Sequence, residues 1–483
     1  MARVADLVRG TIHDGHLREG DPLRSTRALA AELGVSRGTV TAAYEQLDGE
    51  GYVVLRHGAV PRVAATLTTG PPGSTRRVPD GARPGRADRA GVVVDLRPGV
   101  PSVATVSGRD WRAAWRHAAA APLEARYPDP AGESALRGQV AAQLALSRGF
   151  GPDAARVVIT GGTAEALSLV TESLGPRARV AVENPGYRAG RAAVTSAGGA
   201  VVPVPVGDRG LDLDALRSAH ALGRLDAVLV TPSHQYPLGG AMPVARRHEL
   251  LAWAAAEGVL VVEDDYDSEF RHRGDPLPAL AALDAAGVVV HVGSFSKVLD
   301  PRLRCGYLVL PAGAAGGSPG GASDGGTPAG AAVLAARRAR GASVATVTQL
   351  ALAHLMSTGA LRRHVARCRR DYRVKRRLVA ETFADLPGVR VRGLDGGLHA
   401  VLELEDMTGA NLVTRAAARG VGISDLQDYV VDGSGLRLDG VVLGYAPPSA
   451  TVLRDALRTV RGALTTAEER PTSQNLTLGT PHA

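Results

Sequence analysis

Two kinds of hydrophobic spacing divide the chain. Between residues 25 and 50 the apolar positions recur at helical intervals, Leu29 and Leu33 first, then Val40, Tyr44 and Leu47. Gly34 interrupts the pattern, Val35 fills the turn, and Ser36 suits the N-cap of the second helix. Two short helices about a glycine turn predict a helix-turn-helix. Residues 51–55 then predict a short strand, with Arg56 and His57 at the tip of the loop that follows. From about residue 92 the pattern changes to short β-branched and aliphatic runs at 157–160, 180–182, 226–230, 259–262 and 288–292, with helical runs such as 166–174 between them. Such an order predicts an α/β domain with a mostly parallel sheet. Further helical pattern fills 332–383.

Three stretches carry no period. Residues 66–91 are rich in Pro, Gly, Ser and Thr, with five arginines against Asp80 and Asp88, and read as a basic flexible linker. Residues 312–331 read as a low-complexity loop, and 466–483 as a disordered polar tail. Residues 1–65 and 92–465 are thus the two folded domains.

With 483 residues and 45% hydrophobic residues there is core enough for two or more domains. Aromatics make up only 4%, so the core must rest on Ala, Val and Leu. A formal net charge of +8 favours an anionic partner such as DNA. Cys305 and Cys368 are the only cysteines, which fits a reducing compartment and argues against a metal cluster. The first residues lack the apolar core of a signal peptide, and no apolar run is long enough for a membrane span. A cytoplasmic location is expected, with no membrane partner and no bound metal.

The helix-turn-helix would enter the major groove by the start of its second helix. Arg37 could reach a guanine edge or a phosphate there, with Ser36 and Thr39 suited to phosphates. Arg27, Arg56 and His57 are further candidates for DNA contact. A small helical hairpin with a solvated charged face would show the same periodicity.

The second site gathers at strand ends. The run 288–292 leads into Gly293-Ser294-Phe295-Ser296-Lys297, small hydroxyl residues beside an amine, with Arg304 seven positions on. The run 259–262 leads into Glu263-Asp264-Asp265-Tyr266, where open α/β sheets bind ligands. Asp264 and Lys297 are 33 residues apart, one strand–helix–strand unit, so both can meet at one sheet edge. A lysine that forms a Schiff base and an acid that pairs with a pyridinium nitrogen are what pyridoxal phosphate (PLP) requires. At Gly161-Gly162-Thr163-Ala164 a strand turns into a helix, and its exposed N–H groups suit an anion.

EDDYDSEF followed by GSFSK-x6-R-x-GYLVLP closely resembles the aminotransferase-like domain of MocR-type regulators in the GntR superfamily, and LAAELGVSRGTVTAAYEQLDGEGYVV resembles their DNA-binding pattern. The resemblance covers residues 1–65 and 92–465. It implies an N-terminal winged helix-turn-helix joined to a fold-type-I PLP-dependent aminotransferase-like domain with large and small subdomains. Lys297 then forms the Schiff base and Asp264 holds the ring nitrogen. Ser294, Ser296, Arg304 and the turn Gly162-Thr163-Ala164 hold the phosphate. Tyr187 stacks on the ring, Tyr266 contacts the ring oxygen, and Tyr127 reaches the cofactor phosphate of a partner subunit, which implies a homodimer. The implied role is a PLP-dependent regulator that binds operator DNA and senses PLP or an amine reacting with it.

The chain departs from that pattern in several places. Arg24 stands where a proline is usual, and the wing tip reads His57-Gly58-Ala59-Val60-Pro61-Arg62. Tyr236 occupies the position where true aminotransferases carry an asparagine, and Leu443 the position of a carboxylate-binding arginine; Arg188 and Arg437 are weak substitutes. Ala164 replaces a frequent glutamine. The altered wing leaves open an aminotransferase with a vestigial DNA-binding domain. The changes at 236 and 443 favour the regulator.

Overall fold

The computed structural model of the chain describes residues 2–13, 16–18, 20–49, 52–55, 59–64, 93–272, 277–313 and 327–465. The linker expected at 66–91, the tail at 466–483 and the wing-tip residues Arg56 and His57 lie outside these. The chain divides into two units, Met1–Arg86 and Ala87–Ala483.

In the first unit, helices Ala2–His13, Thr26–Leu33 and Arg37–Gly49 bury Val4, Val8, Leu29, Val40, Tyr44 and Leu47 against one another. The turn between the last two helices is set locally. Ser25 caps one helix by accepting from the Ala28 N–H, and Gly34, at φ 64°, ends it with an N–H to the Ala30 carbonyl. Ser36 Oγ then accepts from the Thr39 N–H at 3.2 Å. The Tyr44 hydroxyl donates to the Arg24 carbonyl at 2.8 Å and ties the second helix to the approach of the first. Strands Val53–Val54 and Arg62–Val63 pair antiparallel as the wing. The first is shorter than the 51–55 run predicts.

In the second unit an eight-stranded sheet runs in the order Val157–Thr160, Gly306–Val309, Val289–Ser294, Leu260–Asp265, Ala227–Val230, Arg179–Asn184, Ala200–Gly207, Gly210–Leu211. Gly306–Val309 is antiparallel to both neighbours, and Gly210–Leu211 is antiparallel at the edge; the other pairings are parallel. Both faces are covered, as a parallel sheet requires. Val182, Leu229, Val262 and Val292 pack under helices Thr163–Ser173 and Pro328–Arg340, while Ala181, Val228, Val230 and Val261 pack on Leu213–Leu222 and Val244–Glu257. A second, antiparallel sheet of Val389–Arg392, His399–Leu404, Gly440–Gly444 and Ser424–Asp425 forms the smaller subdomain, with the 24-residue helix Ala360–Phe383 packed beside Ala450–Thr465. Residues Val94–Asp95 pair with Val421–Gly422 and bring the start of the domain back to this region. Among the described residues no helix is long and apolar enough to cross a membrane.

Two expectations need correction. The low-complexity loop does not extend to residue 331: a helix starts at Pro328, because Thr327 accepts from the Gly330 N–H as N-cap and the proline fits the first helical position. The acids after the 259–262 run do not follow a strand; they belong to it, since Leu260–Asp265 continues through all three. Alternation therefore sends Glu263 and Asp265 to one face and Asp264 to the other. Glu263 meets His291 at 3.0 Å and Asp265 pairs with Arg148 at 2.6 Å, so both are buried with partners of their own and neither lines the cavity described below.

Candidate functional site

The carboxyl ends of Leu260–Asp265 and Val289–Ser294, with the start of Thr163–Ser173, enclose a cavity of about 140 Å³. Nine of the residues expected from sequence line it: Thr163, Ala164, Tyr187, Asp264, Tyr266, Ser294, Ser296, Lys297 and Arg304. Thr231, Tyr236 and Pro301 complete the wall. Gly162 stands just behind as the N-cap of its helix, at φ 109°, with no side-chain cap. That positive φ is what calls for glycine; a Cβ there would meet the Arg304 guanidinium at 3.6 Å, an ordinary contact that places the cation beside the bare helix N-terminus. Tyr127 does not reach this cavity; it is 97% exposed.

The two ends of the cavity differ in charge. At one end are the uncapped N-terminus of Thr163–Ser173, the Ser294 hydroxyl, which accepts from the Ser296 N–H at 3.1 Å, and Arg304. Arg304 follows the turn Pro301–Leu303 in a left-handed conformation (φ 45°), and its guanidinium has no hydrogen-bond acceptor among the described residues. This end is built for an anion.

At the other end Asp264 is buried, and its Oδ1 has no hydrogen-bond partner. Burial pushes its carboxyl up to about 8, with Asp265 adding to the rise and the Lys297 cation opposing it. Lys297 donates to the Gly99 carbonyl at 2.5 Å. Burial of its amine lowers its pKa, against the pull of Asp264, and that raises the fraction able to act as a nucleophile. Tyr187, Tyr236 and Tyr266 form the aromatic wall, with ring centroids 6.2 Å apart for Tyr187–Tyr236 and 5.6 Å for Tyr236–Tyr266.

Behind this wall lie groups that the sequence reading missed. His234 Nδ1 stands 2.8 Å from Asp267 Oδ2 and 3.0 Å from the Tyr266 hydroxyl. Thr231 donates to Glu183 at 2.5 Å, and burial raises that glutamate to about 7. His399, lowered to about 4 by burial and by His234, donates to the Pro237 carbonyl at 2.9 Å. Gly99 comes from the opening segment of the domain. The one signal available was an acid inside an apolar strand, Val180-Ala181-Val182-Glu183.

Two expectations about a carboxylate receptor change. Leu443 is fully buried and belongs to the large hydrophobic core, while its neighbour Val442 packs with Tyr236 and Tyr429. Strand alternation thus turns position 443 away from the site, and its residue type says nothing about carboxylate binding. Arg188 pairs with Asp428 at 3.3 Å, and neither it nor Arg437 lines the cavity.

The cavity fits PLP on its own geometry. The unpartnered Asp264 Oδ1 matches a ring N–H, the Gly162–Arg304 corner matches a phosphate, and Lys297 lies between them. A GntR-type reading head on a PLP-binding scaffold is a class of transcriptional regulator, and comparison with known proteins bears this out. Residues 1–63 match the bacterial regulatory proteins of the gntR family, and 93–437 match aminotransferase class I and II. The chain belongs to the family that joins these two domains. It is 37% identical over 468 residues to the HTH-type pyridoxine biosynthesis transcriptional regulator PdxR of Corynebacterium glutamicum, covering 96% of this chain and 95% of that one. It is 31% identical to the "Probable rhizopine catabolism regulatory protein MocR" of Rhizobium meliloti, over 96% and 94% of the two chains. Among solved structures, the α-aminoadipate aminotransferase LysN of Thermus thermophilus, complexed with N-(5'-phosphopyridoxyl)-L-leucine, superposes with a TM-score of 0.66 at 26% identity, over 77% of this chain and 92% of that one. The chain is a DNA-binding transcriptional regulator with pyridoxal phosphate as its cofactor.

Proposed function

We propose that the chain senses pyridoxal phosphate, or an amine that reacts with it, at Lys297, and converts occupancy into altered operator binding as a cytoplasmic homodimer. The observation that carries this is the cavity itself: a buried acid with a free oxygen, a nucleophilic amine and an unpaired arginine in one enclosure. Resemblance to a regulator named for pyridoxine biosynthesis supports the cofactor itself as the signal.

Each residue then has a task. When bound, PLP would supply an aldehyde on an electron-withdrawing ring. The free oxygen of Asp264 would hold a ring N–H. Arg304, Ser294, Ser296 and the Thr163 and Ala164 N–H groups would hold the phosphate. Lys297, which here donates to the Gly99 carbonyl, would offer its amine to the aldehyde. Tyr187 would pack against the ring, and Tyr266, held by His234 and through it by Asp267, would serve the ring oxygen. Tyr127, exposed in the single chain, is free to complete the site of a second copy. In the other unit Arg27 and Arg37 are exposed, and Ser36 and Thr39 share a 2.8 Å hydroxyl contact at the start of the second helix of the helix-turn-helix; these would contact the DNA, as would Arg56 and His57, which lie outside the described residues.

Titration of purified protein with PLP should give a yellow complex that borohydride fixes on Lys297, read by mass spectrometry, and should change affinity for a duplex from upstream of the chain's own gene. Uptake without any effect on DNA, together with brisk transamination of a common amino acid, would move the assignment to an aminotransferase. No uptake at all would remove the sensing role.

A further inference from the structure

We propose that the outer face of helix Ala360–Phe383, in the cofactor-binding unit, is a second docking surface for the DNA backbone. This rests on the reading of the chain as a DNA-binding regulator, but on none of the winged-helix residues.

The helix carries eight arginines and one lysine against Asp371 and Glu381, a net +7 beside the +8 of the whole chain. Such charge on one helix is self-repelling, and fold stability does not require all of it. Arg363 pairs with Asp110 at 3.5 Å, Arg367 donates to the Thr105 carbonyl at 2.9 Å, and Arg369 and Arg376 donate to the carbonyls of Glu269 and Leu394. Lys375 is buried between Asp371 and the Ala446 carbonyl. These five are structural. Arg362, Arg370, Arg373 and Arg377 remain, the last three consecutive along one side, and none of the four has a hydrogen bond or ion pair among the described residues.

Their spacing makes a stripe. At about 100° per residue the four fall within an arc of about 80°, opposite the face formed by Leu361, Cys368, Tyr372 and Val379, which is buried in the core. They span about 22 Å of helix at about 1.5 Å per residue. That length matches roughly six base pairs of duplex at about 3.4 Å per phosphate along a strand. Arginine, with a planar fork that takes phosphate oxygens in pairs, is the residue type suited to this contact. The exposed Glu381 is the only uncompensated acid on the helix and lies beyond the C-terminal end of the stripe. Duplex DNA is the polyanion that the winged helix of the same chain already holds close, which raises its effective concentration at the stripe.

The test uses the full chain loaded with PLP and a mixed-sequence duplex of about 60 base pairs, with affinity measured from about 50 to 200 mM salt. The R370Q/R373Q/R377Q triple variant should flatten the slope of log affinity against log salt by about 3, near 0.9 per lost phosphate contact. A control triple, R209Q/R224Q/R454Q, makes the same charge change at exposed positions elsewhere in the unit and should leave the slope near wild type. Retained borohydride trapping at Lys297 shows that the variants are folded. An unchanged slope in the stripe variant, or an equal loss in the control, overturns the proposal. Arg37→Ala in the same assay reports on the winged helix separately: if that variant is silent while the stripe triple still flattens the slope, the recognition helix has been misassigned and the stripe stands.

Discussion

Replacing Asp264 by asparagine should make the cofactor-free protein more stable and the cofactor more weakly bound. Asp264 is buried, and its pKa rises from 3.8 to about 8 on folding. The folded state thus holds its proton more tightly than the unfolded chain does. Its stability is full below about pH 4, falls as pH rises to about 8, and is flat beyond. At pH 7 the folded chain has forgone about three pH units of ionisation, on the order of 4 kcal/mol. Asparagine does not titrate and removes this loss. Part of the gain is returned, because Asp264 also supports the Lys297 cation. The difference in unfolding free energy, variant minus wild type, should therefore grow between pH 5 and 8. With cofactor the sign reverses: the variant loses a charge-assisted hydrogen bond to the ring nitrogen, about 1.5–3 kcal/mol, or roughly ten- to hundredfold in PLP affinity. Denaturant melts of the cofactor-free large unit across the pH range, beside PLP titration followed by absorbance, measure both. A stability difference that stays flat with pH, or unchanged PLP affinity, would refute the assignment of Asp264 as the acid awaiting a ring proton.

Arg304→Ala should cost about 1.5–3 kcal/mol in binding of PLP but little in binding of pyridoxal, which lacks the phosphate; equal losses for the two ligands in the same titration would place Arg304 elsewhere. Arg37→Ala should weaken operator binding by about 1–3 kcal/mol in a mobility-shift assay while leaving the PLP spectrum intact. If Arg304 takes the phosphate as proposed, no other arginine among the described residues lines the cavity, so keto-acid production from a panel of amino acids should stay marginal. Multiple rapid turnovers with any of them would show a carboxylate receptor that a single chain does not reveal.

What could be read from the sequence was whatever is local or periodic. The helix-turn-helix announces itself because Ser25, Gly34 and Ser36 act within a few residues of themselves. Asp264 and Lys297 were legible together because adjacent parallel strands put equivalent positions side by side, and Val292 does pair with Asp264. Faces were harder. The run Glu263-Asp264-Asp265 looks like one acidic cluster in sequence, but the strand separates it into a cavity acid and two acids held by His291 and Arg148 on the other face. Leu443 was misjudged for the same reason, since a one-residue difference in a strand is a difference of side. His234, Asp267 and Gly99 were invisible because they arrive on irregular segments, where no period exists to read and only the fold brings them together.

The bond from Lys297 to the Gly99 carbonyl also makes the protein a competitor for its own lysine. A ligand that captures the amine leaves that carbonyl without its donor, so the net gain is the difference between two partners and not the full strength of the new one. Affinity is thereby held below what the cavity could offer. For a sensor of the kind proposed above this is an asset, because a site saturated at the lowest concentrations reports nothing about the higher ones. The same contact also explains why residue 99 is glycine: at φ 101° other residues are strained, and a Cβ there would stand 3.2 Å from Lys297 Nζ, pressing on the amine itself.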